Sequence, residues 1–173
     1  MPSKRHASLL VLVAVLLFLG AILGRAHARV TFAGIQTTVP ASGLKYPNGV
    51  AVDKAGDVFI ADSGNNRVVE VPAGGGVQIT VPASGLNNPS GVAVDAAGDV
   101  FISDYGNSRV VEVPYLGNGL YGPQTTVGNG LYAPYGVAVD AAGDLFVTDT
   151  GHGRVVEVPA RWRYPDHGGQ RTE

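Results

Sequence analysis

The sequence contains no cysteine, which removes disulfides, thiolate metal sites and thiol catalysis together. That absence suits an exported domain held by packing alone and fixes no compartment. Histidine is scarce as well: His6 and His27 lie near the N-terminus, leaving His152 and His167 in the rest of the chain. A three-ligand zinc centre would need carboxylates to complete it, so zinc chemistry is disfavoured. There is no G-x-S-x-G, and no serine stands beside a histidine able to activate it. Gly74-Gly75-Gly76 lacks the Lys-Ser/Thr of a phosphate cradle and reads as a turn. Charge is low, at 15% of residues, and it is unevenly spread. Lys4, Arg5 and Arg25 fall in the first 28 residues, and the remainder carries nine Lys+Arg against fourteen Asp+Glu. An acidic body without a basic cluster matches a phosphate backbone poorly, so nucleic acid is not an expected partner.

The N-terminal segment differs in kind from the body of the chain. Lys4-Arg5-His6 precedes a 17-residue apolar run, Ala7–Leu23, and Ala26-His27-Ala28 has the small-x-small pattern of a signal-peptidase site. Residues 1–28 are therefore expected to be a secretory signal cleaved after Ala28. The alternative is an uncleaved anchor, for which a 17-residue run is at the short limit. Both readings make the body secreted or extracytoplasmic, the second with residues 7–23 holding it at the membrane.

The body repeats itself. Gly49–Pro72, GVAVDKAGDVFIADSGNNRVVEVP, returns as Gly91–Pro114 with 20 of 24 positions identical, and as Gly136–Pro159 with 17 of 24. A period near 40 residues calls for blades, solenoids or arrays. Within the first copy, Gly49–Asp53 reads as a strand and Lys54-Ala55-Gly56 as a hairpin turn whose Gly56 takes a positive φ. Val58–Ala61 is a second strand, Asp62–Asn66 an Asx-rich turn, and Arg67–Val71 a third strand ended by Pro72. Val77–Val81 supplies a fourth. Four short strands per repeat, apolar on both faces, predict the blade of a β-propeller, with a solenoid as the alternative.

The motif P-x-G-V-A-V-D-x-x-G-D-V-F-I-x-D-x-G-N-x-R-V resembles the NHL repeat, over residues 46–72, 88–114 and 133–159. The turn departs from the Asn-His-Leu of the name, reading Asn65-Asn66-Arg67, Asn107-Ser108-Arg109 and His152-Gly153-Arg154. The linker TVPASGL, at Thr38–Leu44 and Thr80–Leu86, also resembles the extracellular sensor propellers of mycobacterial receptor kinases, although this chain carries no kinase motif. The resemblance implies an all-β, NHL-type β-propeller with three four-stranded blades in residues 29–159, followed by a polar tail, 160–173.

Three blades are fewer than the four to eight that close a ring. Ile35–Val39, IQTTV, matches a fourth strand yet precedes the first full repeat, so the order reads d-abcd-abcd-abc. Two chains exchanging that strand would make a homodimeric ring of six blades and remove two exposed sheet edges. An open arc, or a fragment of a longer propeller without function of its own, is the competing expectation.

Residues recurring in every copy are expected to be structural: Asp62, Asp104 and Asp149 accepting hydrogen bonds from their turns, and Arg67, Arg109 and Arg154 bracing a loop or carboxylate. DSGNN at Asp62–Asn66 has the oxygen spacing of a short calcium loop, but Asx-turn chemistry accounts for it without a metal, and no cofactor is expected. Recognition is expected where the copies differ, at one end of the blades: Tyr46, Asn48, Ser63, Asn66, Tyr105, Ser108, Tyr132, Tyr135, Thr150 and His152. The insertion Tyr115–Tyr121 lengthens the second repeat, and its GNGLY recurs at Gly128–Tyr132. The leading functional expectation is an exported binding or scaffold module for a protein, peptide or cell-envelope glycan. The alternative, by family analogy alone, is a metal-assisted lactonase- or lyase-like enzyme.

Overall fold

The computed structural model describes residues 36–128 and 130–163. The expected signal segment, Ile35, and His167 with most of the tail lie outside them. The chain divides into two units, Met1–Thr38 and Val39–Glu173, and every described strand belongs to the second. Gln36–Thr38, in the first unit, carries no regular structure.

Each repeat folds as an antiparallel sheet in chain order. Blade 1 pairs β1 (Pro47–Val52), β2 (Val58–Asp62), β3 (Arg67–Val71) and β4 (Ile79–Thr80). Blade 2 pairs β5 (Pro89–Val94), β6 (Val100–Asp104), β7 (Arg109–Val113) and β10 (Thr125–Val127), with the hairpin β8 (Tyr115–Gly117) and β9 (Leu120–Tyr121) inserted before its last strand. Blade 3 pairs β11 (Pro134–Val139), β12 (Leu145–Asp149) and β13 (Arg154–Val158), and among the described residues it has no fourth strand. A helical turn, Ala160–Arg163, comes after it where the sequence suggested only a polar tail.

β-Branched residues in Val58–Ala61 and its copies suit strands covered on both sides, and neighbouring blades provide the cover. Between blades 1 and 2, Phe59, Val68, Val81 and Leu86 pack against Val92, Val100, Ile102, Val111 and Val113. Between blades 2 and 3, the copies of the first set, Phe101, Val110, Val127 and Leu131, pack against Leu145 and Val147. The core is thus two inter-blade layers built from one repeated pair of faces. A third small cluster, Ile60, Val69 and Val71, lies on the far side of blade 1 under Ala41 and Leu44.

The first strands of adjacent blades approach most closely at the glycine of each Pro-x-Gly. A Cβ on Gly49 would stand 2.7 Å from the Ser90 carbonyl oxygen, and one on Gly91 would stand 2.6 Å from that of Tyr135. Neither backbone carbonyl can move aside without disturbing its own blade, which explains the glycine in the first two repeats; at Gly136 a Cβ would meet only the Thr148 side chain, at 3.3 Å. At the other end of the first hairpin, Gly56 has φ +90°, as its turn requires.

Candidate functional site

The variable residues do gather at one end of the blades. The second turn of each repeat, Ser63–Asn65, Tyr105–Asn107 and Thr150–His152, is a single 3-10 turn ended by a residue in the left-handed region. The linker entering the same blade runs across it, with Gly64, Gly106 and Gly151 donating their N–H groups to the carbonyls of Lys45, Asn87 and Tyr132. Next comes Tyr46, Asn88 or Ala133, each at φ near +50°, immediately before the proline that opens the first strand. The residue before a proline is ordinarily extended, so the left-handed residue found there in all three copies is a specific feature of the linker's reversal.

The recurring aspartate holds this reversal in place. One Asp62 oxygen accepts the Lys45 N–H at 2.6 Å, while the other accepts Asn65 Nδ2 at 2.8 Å and Arg67 Nε at 2.7 Å. Arg67 also reaches the Gly43 carbonyl. Asp104 and Asp149 repeat the pattern with Asn87 and Tyr132 N–H, and with Arg109 and Arg154. The sequence led us to expect donors from the turn's own backbone; the backbone donor comes from the incoming linker. Each carboxylate is fully buried with both oxygens engaged by protein donors. Burial by itself would raise the Asp62 and Asp149 pKa values. The donors outweigh it, holding Asp62 below the usual carboxylate value and Asp149, with Tyr132 N–H, Arg154 and His152 around it, at about 2.

These contacts divide the predicted face into two groups. Ser63 is buried and donates its hydroxyl to the Pro89 carbonyl of the next blade. Asn66 Oδ1 accepts the Asn88 N–H at 2.8 Å, and Ser108 Oγ lies 3.4 Å from the Ala133 nitrogen in the same role. His152 takes the place of Asn65 and Asn107, bonding Asp149 at 2.9 Å with its ring 5.8 Å from that of Tyr132. These side chains fasten turn to linker or blade to blade.

Asn48, Tyr105 and Tyr135 form the second group. The Tyr135 hydroxyl passes over the middle blade and donates to Asn48 Oδ1 of blade 1 at 3.0 Å. The Tyr105 ring meets the Tyr135 ring edge-on, with centroids 6.2 Å apart. Below them Ser90 is buried, its hydroxyl 2.8 Å from the Tyr135 carbonyl oxygen. Ser90 occupies the position held by Asn48 and Tyr135 in the other repeats, and its small side chain leaves room for Tyr135 to cross. Tyr46 and Tyr132 are exposed at the rim, Tyr46 with the Lys45 ammonium 5.9 Å from its ring centre, and Thr150 is exposed on the last turn.

At the opposite end, a cleft of about 400 Å³ lies between the first hairpins of blades 1 and 2, lined by Asp53, Lys54, Asp57, Asp95, Gly98 and Tyr115 among others. Its aspartates are engaged within their blade, Asp53 accepting Ala55 and Asp57 N–H in its own turn, and Asp57 accepting the Ala73 N–H after the third strand. Beside it the inserted hairpin is anchored, with Tyr121 donating to Glu70 at 2.6 Å and its ring 5.3 Å from Tyr115. Burial and the Glu70 carboxylate together push the Tyr121 pKa well up, so it remains a donor. Among the described residues, no group of three or more His, Asp or Glu stands close enough together to hold a metal ion.

A family model for the NHL repeat matches residues 44–70, 86–112 and 131–157. Among solved structures, a nidogen/laminin complex is similar at 21% identity with a TM-score of 0.62, covering 73% of this chain and 48% of that one. A gluconolactonase from Xanthomonas campestris is similar at 17% identity and 0.54, covering 71% and 50%. A streptogramin B lyase is similar at 19% and 0.51, covering 71% and 43%. The chain therefore spans half or less of the length of these structures. At such identities the likeness is one of fold. No curated protein matches the chain.

Proposed function

From a chain built of NHL repeats in propeller blades, we propose an exported binding module whose turn-bearing end recognises a protein or peptide ligand. The observation that carries this reading is the cluster of Asn48, Tyr105 and Tyr135. Three blades each contribute one side chain to it, and both tyrosines are exposed. Tyrosine offers large, stiff contact area with a polar tip, at a low entropy cost on binding. The surrounding serines, asparagines and aspartates are committed to internal bonds, so the cluster stands on a firm base. A propeller in a nidogen/laminin complex supports protein recognition as a use of this fold, by analogy only.

The test is selection from a displayed peptide library on the purified chain. Enriched peptides are expected to lose at least about tenfold in affinity, ~1.4 kcal/mol, on Tyr135→Ala or Tyr105→Ala. Peptides that bind both variants as well as wild type would remove the cluster from recognition. A parallel glycan panel showing tyrosine-dependent binding would instead make a cell-envelope glycan the ligand. Export is tested on the secreted chain, whose N-terminus is expected to be Arg29.

The same reading includes a second copy of the chain as a partner, two sets of three blades making a ring of six. A full ring would present the axial positions of Asn48, Ser90 and Tyr135 twice, doubling the recognition face. Light scattering checks it: the expected mass is that of a dimer, and a clean monomer removes the two-chain ring.

A further inference from the structure

We infer that Gln36–Val39 of one chain forms a fourth strand on blade 3 of a second copy, with Gln36 as the clamp that sets its register. This rests on the two-chain ring and specifies how it closes. The first observation is a pair of repeated clamps. Gln78, beside β4, donates Nε2 to the Ser42 carbonyl and accepts the Ser42 N–H at 2.9 Å. Gln124, beside β10, does the same with Ser84, accepting its N–H at 2.6 Å. In both cases the glutamine opens the last strand of a blade and grips the linker entering that same blade. Gln36-Thr37-Thr38-Val39 reproduces Gln124-Thr125-Thr126-Val127, yet Gln36–Val39 forms no strand here, and blade 3 has no described fourth strand.

The second observation is a pair of faces that are only partly covered among the described residues. Val81 and Val127 are 1% and 5% exposed between blades, whereas their copy Val39 is 40% exposed. Phe59 and Phe101 are buried, whereas Phe146 is not; Val68 and Val110 are buried, whereas Val155 is 66% exposed. On the far side of blade 1, Val50 and Val52 are exposed, whereas their copies Val92 and Val94 are buried and half-buried; Ile60, Val69 and Val71 on that face are already covered by Ala41 and Leu44. The outer face of blade 3 therefore repeats the face that blades 1 and 2 present to their successors. The outer face of blade 1 repeats the face that receives it. A second copy supplies both partners through the packing already present twice within the chain. One two-fold axis along the centre then generates two identical junctions.

Register comes from β10, where Thr125, Thr126 and Val127 oppose Glu112, Val111 and Val110. Thr37, Thr38 and Val39 would oppose the partner's Glu157, the partner's Val156 and the partner's Val155. In blade 1, Val81 N–H donates to the Val68 carbonyl. The pair one step away, Val69 with Thr80, is therefore the non-hydrogen-bonded kind, in which Cα atoms come within ~4.5 Å. Thr38 with the partner's Val156 is the corresponding pair, close enough for a disulfide.

Because the chain has no cysteine, two single variants give a clean test. Chains carrying Thr38→Cys are mixed in equal amounts with differently tagged chains carrying Val156→Cys, and oxidised gently. A disulfide linking the two tags supports the inference, since neither variant can form it within one chain. A dimer by light scattering that yields no such link overturns strand exchange and leaves the ring standing. A monomer at all concentrations overturns both. Gln36→Ala, on the exposed segment, keeps the test independent of cysteine geometry and is expected to raise the dimer dissociation constant about tenfold. An unchanged constant would remove Gln36 as the clamp.

Discussion

Blades 2 and 3 have almost the same sequence over their three long strands, and their environments differ sharply. Phe101 is fully buried and Phe146 is 38% exposed; Val110 is 1% exposed and Val155 is 66%. Glu112 is buried, and Glu157 at the same position is exposed. The local fold is nevertheless unchanged, since β12–β13 keeps the register of β6–β7 residue for residue. Hairpin geometry is thus a property of the repeat, whereas burial is a property of the neighbour. In repeat architectures stability is the sum of unit and interface contributions, and among the described residues blade 3 has only one of its two interfaces satisfied.

The largest expected effect breaks this comparison directly. Phe101→Ala should destabilise the chain by about 3–5 kcal/mol, as for other buried aromatic truncations, and Phe146→Ala by only about 1–2 kcal/mol. Denaturant unfolding at low protein concentration measures both. Raising the concentration sharpens the test: if two copies pack face to face, the cost at Phe146 should climb towards that at Phe101.

Next in size is the loss of a linker-holding carboxylate. Asp104→Ala leaves Arg109, 28% exposed, without its partner and the Asn87 N–H without an acceptor, at a cost of about 3 kcal/mol. Asp149→Ala should cost less, because Arg154 is 54% exposed and can turn to water. Equal losses in thermal unfolding would show that solvent access to the arginine is irrelevant.

A pH experiment tests the charge on Asp149 and Asp62. The Asp149 pKa is depressed to about 2 from 3.8, so its stabilising contribution is complete above 3.8 and fades as pH falls towards 2. Asp62 is shifted in the same direction. The unfolding midpoint is therefore expected to fall between pH 4 and pH 2, and more shallowly in Asp149→Asn. A slope unchanged by that substitution would assign acid sensitivity to other groups. The smallest effect concerns the glutamine clamps: Gln78→Ala and Gln124→Ala should each cost about 1 kcal/mol, through lost bonds to Ser42 and Ser84.

The sequence made the blades legible because their signals are local. Turn glycines, the proline at each strand end and the β-branched runs repeat three times, so errors in reading one copy are corrected by the others. The Arg–Asp pairs were legible for the same reason. The candidate site was only partly so. That Ser63, Asn66, Ser108 and His152 vary suggested recognition, yet each is engaged inside the protein, with Pro89, Asn88, Ala133 and Tyr132 respectively. The inserted residues Tyr115–Tyr121 read as a duplicated loop but form a hairpin, because Tyr121 finds Glu70 on the adjoining blade.

The blade itself is written in the repeat: strand lengths, turn positions, and the aspartate–arginine pair that opens each third strand. These depend on backbone conformation and short-range hydrogen bonding, and residues a few positions apart encode both. Packing between blades, by contrast, selects which of three equivalent side chains is core and which is surface. It also brings together Asn48, Tyr105 and Tyr135, which are spread over three repeats. Those outcomes depend on which blade lies beside which. A repeated sequence cannot specify that position by position, because Phe59, Phe101 and Phe146 are the same residue until a neighbour distinguishes them.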